Sequence, residues 1–417
     1  MRLPRFNKVS FLIFLSVVGP GIITSVVDDD AGGITTYSVA GANFGYSLLW
    51  TLIPITIALI IVQEMCMRMG MVTGKGLSDL IRKSFGARVT FFVMIALLLA
   101  NIGTTVAEFA GVAASTEIFG ISRYITVPMA AIVVWVIVVK WSYKKVEKLF
   151  LIMALFYITY VISGLYSGPD WGVVAKEFVT PSFKFDPAYI YLLIGIVGTT
   201  IAPWMQFYLQ ASVVEKKAEL KNYKYAKWDV IIGSIITDGI AFFIIVACAS
   251  TLYVANIQIN DAADAAIALQ PLAGAFAAHL FAFGLFASSI FAAAILPLST
   301  AYYVCEGFGW EKGVDKKFKE APQFYWLFTI TIILGAAIVL IPGVSLITIL
   351  ISSQVLNGIL LPFILIFMLI LINDRDIMGK YTNGKVFNIV AWGTVIILIG
   401  LTLFLLYMTI APMIMLA

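Results

Sequence analysis

The sequence predicts an all-α integral membrane protein of about eleven transmembrane helices, built as two inverted five-helix halves plus one extra helix. Three observations predict it. The 417 residues are 61% hydrophobic and only 12% charged, with mean hydropathy +1.01, whereas a soluble domain carries about 25% charged residues. Long apolar stretches alternate with short loops that are basic on one side only. Two of those stretches, five apart, are interrupted by residues that an uninterrupted helix in hydrocarbon does not carry.

Stretches long enough to cross about 30 Å of hydrocarbon run over residues 10–43, 46–70, 89–118, 124–141, 147–167, 188–213, 226–256, 270–304, 323–342, 344–372 and 386–415. The loops bearing Lys75, Arg82, Lys83 and Arg88, then Lys140, Lys144, Lys145 and Lys148, then Lys216, Lys217, Lys221, Lys224 and Lys227 are basic. So are those bearing Lys312, Lys316, Lys317 and Lys319, and Arg375, Lys380 and Lys385. The intervening loops hold only Arg123, Lys176 and Lys184 against several acids. The positive-inside rule therefore predicts a cell-membrane protein with a cytoplasmic N-terminus and an extracellular C-terminus. The segment Ser167–Pro187, with its Pro, Gly and Asp turn residues, reads as a connector. A single transmembrane domain is expected over 1–417: repeat one about 10–167, repeat two about 188–372, and the extra helix about 386–415. Met1–Lys8 is a short basic leader with no cleavage signal after it.

Composition also excludes classes. The lysines are scattered in loops with no aromatic-interleaved basic patch, which argues against nucleic acid. Cys66, Cys248 and Cys305 lie in apolar surroundings without ligand spacing and read as packing residues. No Ser/His/Asp set, metal cluster or phosphate loop is present, so neither an enzyme nor a resident cofactor is expected.

The first interruption is Asp28-Asp29-Asp30-Ala31-Gly32-Gly33. One carboxylate in hydrocarbon costs about 2.5–3.5 kcal/mol on insertion scales, so such a cluster lines a hydrated cavity or holds a cation. The glycines are expected to remove helical order and free backbone carbonyls; the plainer alternative is a polar loop between half-length helices. The second interruption lies in Ile194-Gly195-Ile196-Val197-Gly198-Thr199-Thr200-Ile201-Ala202-Pro203-Trp204. Pro203 lacks an amide hydrogen and crowds the carbonyl four residues back, and Thr199 and Thr200 offer hydroxyls to the freed backbone. Broken helices at matching places in two halves point to a transporter whose site lies near the membrane midplane.

Glu108, Asp238, Ser353, Gln354 and Asn357 also lie within spans. Glu108 and Asp238 are either pathway groups or structural hydrogen-bond partners. Glu64 and Arg68 are four apart and expected to pair. The one histidine, His279, is given no role.

Several segments then match a family. Gly19-Pro20-Gly21, the acidic break, and Ala40-Gly41-Ala42-Asn43-Phe44-Gly45-Tyr46 resemble the first helix of the Nramp divalent-metal transporters. The resemblance continues through Arg68-Met69-Gly70-Met71-Val72-Thr73-Gly74-Lys75, Ala107-Glu108-Phe109-Ala110-Gly111, Glu306-Gly307-Phe308, Ser353-Gln354-Val355, Leu361-Pro362-Phe363 and Met378-Gly379. It implies the LeuT-type fold, alternating access and a metal site between the breaks of helices 1 and 6. The partners it implies are a divalent metal substrate and the lipid bilayer, with no obligate protein partner evident.

The departures from the family pattern are specific. Family members carry Asp-Pro-Gly-Asn in helix 1, where this chain has Asp30-Ala31-Gly32-Gly33; the acid is kept and the amide is gone. In helix 6, Met-Pro-His becomes Ala202-Pro203-Trp204, and the helix-3 Asp becomes Thr105. This pattern resembles the Nramp-related magnesium transporters. A thioether favours soft or borderline ions. Oxygen donors alone suit Mg2+, which keeps several waters and binds through one or two carboxylates.

The resemblance implies Asp30 as direct ligand, Val27 and Thr199 as carbonyl ligands, and Gly33 and Ala202 as the walls of a widened cavity. Gln354 is expected to approach when the outer side closes. Asp28 and Asp29 would bind through water, raise the local cation concentration, or lie in the outer vestibule. With the proton-linked His and Asp absent, the expectation is uncoupled uptake of Mg2+, and of Mn2+, although Glu108 remains on the family's proton route. A proton-coupled Mn2+/Fe2+ symporter and an organic-solute carrier of the same fold are the alternatives.

Overall fold

Every regular element among the described residues is helical. The computed structural model describes residues 21, 24–25, 27, 29–140, 158–270, 274, 277–314 and 316–415, with side chains to residue 408. Asp28, the opening of the first span and most of the fifth lie outside them. Nine helical stretches among the described residues are long and apolar enough to cross a membrane.

After the acidic break, α1 (Ala31–Phe44) passes through a 3-10 segment, Gly45–Thr51, into α2 (Leu52–Thr73). The third span is longer than expected. Helix α3 (Leu77–Glu117) begins within the basic loop and is divided at Gly86, whose φ of 81° interrupts the helix. The stretch before Gly86 buries Leu77, Leu80 and Ile81 and so stays folded against the bundle. Next come α4 (Arg123–Lys140) and α5 (Ile158–Tyr166).

The connector expected after residue 167 contains a helix, α6 (Trp171–Val179), because Asp170 caps it by accepting from Gly172 N and Val173 N at 2.9 and 3.2 Å. Asp186 caps α7 (Pro187–Thr200) in the same way. Then follow α8 (Pro203–Glu215), α9 (Tyr223–Cys248) with a π-type turn to Tyr253, and α10 (Ala262–Ala266). The chain ends with α11 (Ala277–Phe308), α12 (Pro322–Val339), α13 (Leu346–Asn373), α14 (Arg375–Met378) and α15 (Lys385–Met415).

Helix α3 packs along α11, α12 and α13, and α13 also crosses α7. Small residues set that last crossing. A Cβ on Gly198 would stand 2.0 Å from the Gln354 carbonyl oxygen, and one on Gly358 would stand 2.4 Å from that of Ile194. The two backbones therefore touch, as they do where membrane helices pack on small residues. Apolar side chains such as Phe92, Ile132, Val386 and Ile389 are exposed on the outside, the surface a bilayer covers. The polar residues Thr24, Ser25, Asp29, Asp30, Glu108, Thr199, Thr200, Gln206 and Gln354 are buried between the helices instead.

Candidate metal centre

Val27, Asp29 and Asp30 are non-helical, and helical order resumes at Ala31. This corrects the expectation for the glycines: Gly32 and Gly33 lie in the first turn of α1, and they do not unwind it. The cause is Asp30. Its backbone is extended (φ −68°, ψ −177°) and its Oδ1 accepts from Gly33 N at 2.7 Å, so the ligand candidate is also the N-cap. The half-turn before the break is anchored from other helices. Gly21 N donates to Asp229 at 2.7 Å, Thr237 donates to the Ser25 carbonyl at 2.6 Å, and Ser25 meets Gln63 at 3.1–3.2 Å.

Three side chains converge on the α1 terminus. Gln354 Nε2 of α13 donates to Asp30 at 3.2 and 3.5 Å. Glu108 of α3 accepts from Ala31 N at 3.4 Å, and its carboxyl faces that of Asp30 within reach of a shared proton. Asn357 donates to Gln354 Oε1 and to Thr104 Oγ1, each at 3.2 Å, fixing the amide of Gln354 so that its nitrogen points at Asp30. Gly32 admits that approach, because a Cβ there would stand 2.0 Å from Gln354 Nε2. Asp30 is 4% and Glu108 0% exposed. Two facing carboxyls in so dry a place are stable only with a proton or a cation between them. Sequence reasoning left Glu108 open; the structure puts it at the site.

The second break is Ile201–Ala202, both non-helical, with Pro203 as the first residue of α8. Proline at that position loses nothing, since its missing N–H would have no helical partner. The same proline denies the Thr199 carbonyl the helical donor at residue 203. Thr200 does not serve the freed backbone as expected. Its hydroxyl donates to Ile196 O at 2.8 Å within α7 and meets Tyr37 Oη at 2.7 Å, tying α7 to α1. Gln206, which sequence reading missed, places its side-chain amide 2.6 Å from the carbonyls of Ala202 and Pro203, two acceptors that pair with it only when its nitrogen is assigned to that side. An amide one turn beyond a proline break was the available signal.

The remaining predicted residues separate. Val27, fully buried, lies in a turn at the break. Trp204 is 2% exposed and rests on Tyr208, with ring centroids 6.1 Å apart. Thr105 packs toward α12. It donates to Asn101 O at 2.7 Å and lies where a Cβ on Gly335 of α12 would stand 2.7 Å from its methyl. Asp29 is fully buried, and neither of its carboxyl oxygens has a hydrogen-bond partner among the described residues. Glu64 and Arg68 pair at 3.1 Å, as their spacing predicted.

Residues 21–408 match the family described as natural resistance-associated macrophage protein-like. The chain belongs to the Nramp family. It is accordingly a multi-pass membrane transporter of metal ions and not an enzyme. A solved relative of this Nramp chain is the manganese transporter of Eremococcus coleocola, crystallised with an aromatic bis-isothiourea substituted compound. It is 21% identical with a TM-score of 0.77, covering 96% of this chain and 88% of that one. More distant likenesses share the fold alone. MhsT in complex with L-phenylalanine has 14% identity, TM-score 0.59 and coverage of 93% and 97%. The nucleobase-cation-symport-1 transporter MHP1 has 13% identity, TM-score 0.55 and coverage of 93% and 92%. The all-helical, LeuT-type architecture expected of an Nramp protein is therefore present.

Proposed function

We propose that this Nramp protein is a Mg2+ transporter that also admits Mn2+, working as an uncoupled uniporter by alternating access around Asp30. The observation that carries the reading is a donor set of oxygen and amide groups without sulfur. Asp30 is met by Glu108 and Gln354, and a methyl group, Ala202, stands where the family resemblance implies a thioether. Hard donors and a missing thioether remove the preference for softer metals. Among the described residues no three His, Cys, Asp or Glu side chains converge on one point, so an ion at Asp30 would keep water. That is the habit of Mg2+.

Asp30 is the direct ligand, with the Val27 and Thr199 carbonyls facing the ion in one or another access state. Gly33 and Ala202 leave the room for its waters. The C-terminal end of α7 adds negative potential at the same place. Carrying two charges down the membrane potential yields about 4.6 kcal/mol per 100 mV, more than a thousandfold accumulation without protons.

One observation favours a second reading, a proton-coupled Mn2+/Fe2+ symporter: Glu108 faces Asp30 closely enough to exchange a proton with an arriving ion. Uptake into proteoliposomes separates the two. Under an inside-negative potential, Mg2+ uptake with no change in lumenal pH is expected. Lumenal acidification during uptake overturns the uncoupled mode. Failure of Mg2+ to enter or to compete with Mn2+ overturns the substrate.

A further inference from the structure

We infer that a groove between α2, α7 and α15 is a binding site for one acyl chain of a bilayer lipid, whose tail end touches the second helix break. The groove encloses about 290 Å3, and its wall is built from Trp50, Ala58, Phe183, Val197, Ile201 and Leu398 with their apolar neighbours. Along α7 the wall runs from Leu193 to Ile201, along α2 and the segment before it from Trp50 to Ala58, and along α15 from Leu401 back to Thr394. At the rise of a helix each of these runs covers about 10–12 Å, against about 15 Å for the hydrocarbon of one leaflet.

The two ends of the groove lie at the depths an acyl chain connects. One end carries two aromatic rings, Trp50 and Phe183, and the Trp50 indole donates to the Ser182 carbonyl at 2.8 Å. A ring with a polar tip bonded and an apolar body suits the membrane–water interface. The other end is Ile201, in the second break, and broken helices of such transporters place their breaks near the midplane.

The lining excludes a polar occupant. Its three polar side chains are all engaged elsewhere: Trp50 as above, Thr51 with Leu48 O at 2.6 Å, and Thr394 with Val390 O at 3.0 Å. Nothing in the wall is left to hold water, and an apolar cavity of only about 150 Å3 stays dry and takes up benzene. The mouth faces hydrocarbon. Ile397, itself in the wall, is 63% exposed, and Ile53, Ile57 and Ile396, each next in sequence to a wall residue, are exposed as well. The wholly apolar molecule present at that surface is the lipid tail. A tail seated here packs against Ile201, whose N–H donates to Val197 O at 2.9 Å. Its withdrawal leaves a void beside the second break, which destabilises in proportion to its volume.

The test uses the full chain in proteoliposomes doped with a phosphatidylcholine that carries a photoactivatable diazirine near the end of one acyl chain. After irradiation and proteolysis, mass spectrometry locates the label. The expected result is label on Val197 and Ile201, which are buried, in addition to the exposed Ile333 of α12, which reports ordinary lipid contact. Ala58→Phe and Thr394→Phe fill the groove from two different walls, and each should remove the label from Val197 and Ile201 while keeping it on Ile333. Wild-type label confined to exposed residues such as Ile333 and Ile389 overturns the inference, because the groove then takes no tail. Label on Ile201 that neither variant reduces overturns it too, since the tail then arrives by another way. Label on Ile201 that appears only when the protein is diluted in the membrane would make the groove a contact between two copies of the chain instead. The label is read without transport, so failure of the Mg2+ uptake reading leaves it intact.

Discussion

Gln354 Nε2 sits 3.2 Å from Asp30 Oδ1, in space that exists only because residue 32 has no side chain. The carboxylate is thus held from two directions, by the first turn of its own helix through Gly33 N and by an amide from α13. On the proposed reading, an ion bound to Asp30 would take the place of this amide hydrogen bond, which would make α13 the element that responds to occupancy.

Gly32→Ala should push Gln354 off Asp30. Inserting a methyl group into a filled core costs about 1–3 kcal/mol, which, if taken from ion binding, corresponds to about a fivefold to hundredfold loss of apparent ion affinity. Concentration dependence of Mg2+ uptake in proteoliposomes measures it. Gln354→Ala in the Gly32→Ala background should restore part of the loss, since the clash is then removed. An unchanged affinity in Gly32→Ala would mean that Gln354 has no part in binding.

How much of this was legible depended on whether the cause was local. Pro203 breaks a helix by its own covalent structure, and the break lies immediately before it, at Ile201–Ala202. The first break was placed too late. Asp30 caps the helix that the glycines were expected to disrupt, and capping depends on one side-chain conformation. The direction of Asp30 turns on its own backbone conformation, which three consecutive carboxylates do not encode. Glu108, Thr105 and Gln206 depended on helix rotation. Helices that are apolar all round give weak periodicity, so which face meets the site was not readable. The helices before Gly86 and after Asp170 were missed because they are short and flanked by turn residues.

Ala202→Met places a thioether at the second break, where Ala202 is 2% exposed and its carbonyl accepts from Met205 N at 3.1 Å. On the proposed reading, the larger side chain would fill the room left for water and add a polarisable ligand. Competition assays should show Mn2+ and Cd2+ gaining on Mg2+ by about tenfold, a difference of about 1.4 kcal/mol. Selectivity that stays where it is would sink the size-and-softness argument.

Glu108→Gln keeps the shape beside Asp30 and removes the second carboxyl. In the wild type, acid places a proton between the facing groups, which competes with the arriving ion. Apparent Mg2+ affinity should therefore fall as the external solution is acidified. The variant should bind Mg2+ about tenfold to a hundredfold more weakly, the loss of one charged contact worth about 1.5–3 kcal/mol, and its affinity should depend less on pH. Uptake measured across a pH series checks both. A variant whose pH dependence matches the wild type would place the titrating group elsewhere.

Gly198→Ala addresses the frame rather than the ligands. The added Cβ would stand 2.0 Å from the Gln354 carbonyl oxygen and 2.3 Å from Gly358 N, both backbone atoms of α13. No rotamer change relieves such a contact, so α7 and α13 must separate, at a cost of about 3 kcal/mol or more. Separation also carries Gln354 away from Asp30, which links the stability of this crossing to the site. Gly393→Ala in α15, where a Cβ meets nothing within 4 Å, is the matched control. Thermal unfolding in detergent should show a melting temperature several degrees lower for Gly198→Ala and unchanged for Gly393→Ala, with Mg2+ uptake lost only in the former. Equal melting of the two variants would mean that the crossing is looser than the backbone contact implies, and that Gln354 is positioned by α13 alone.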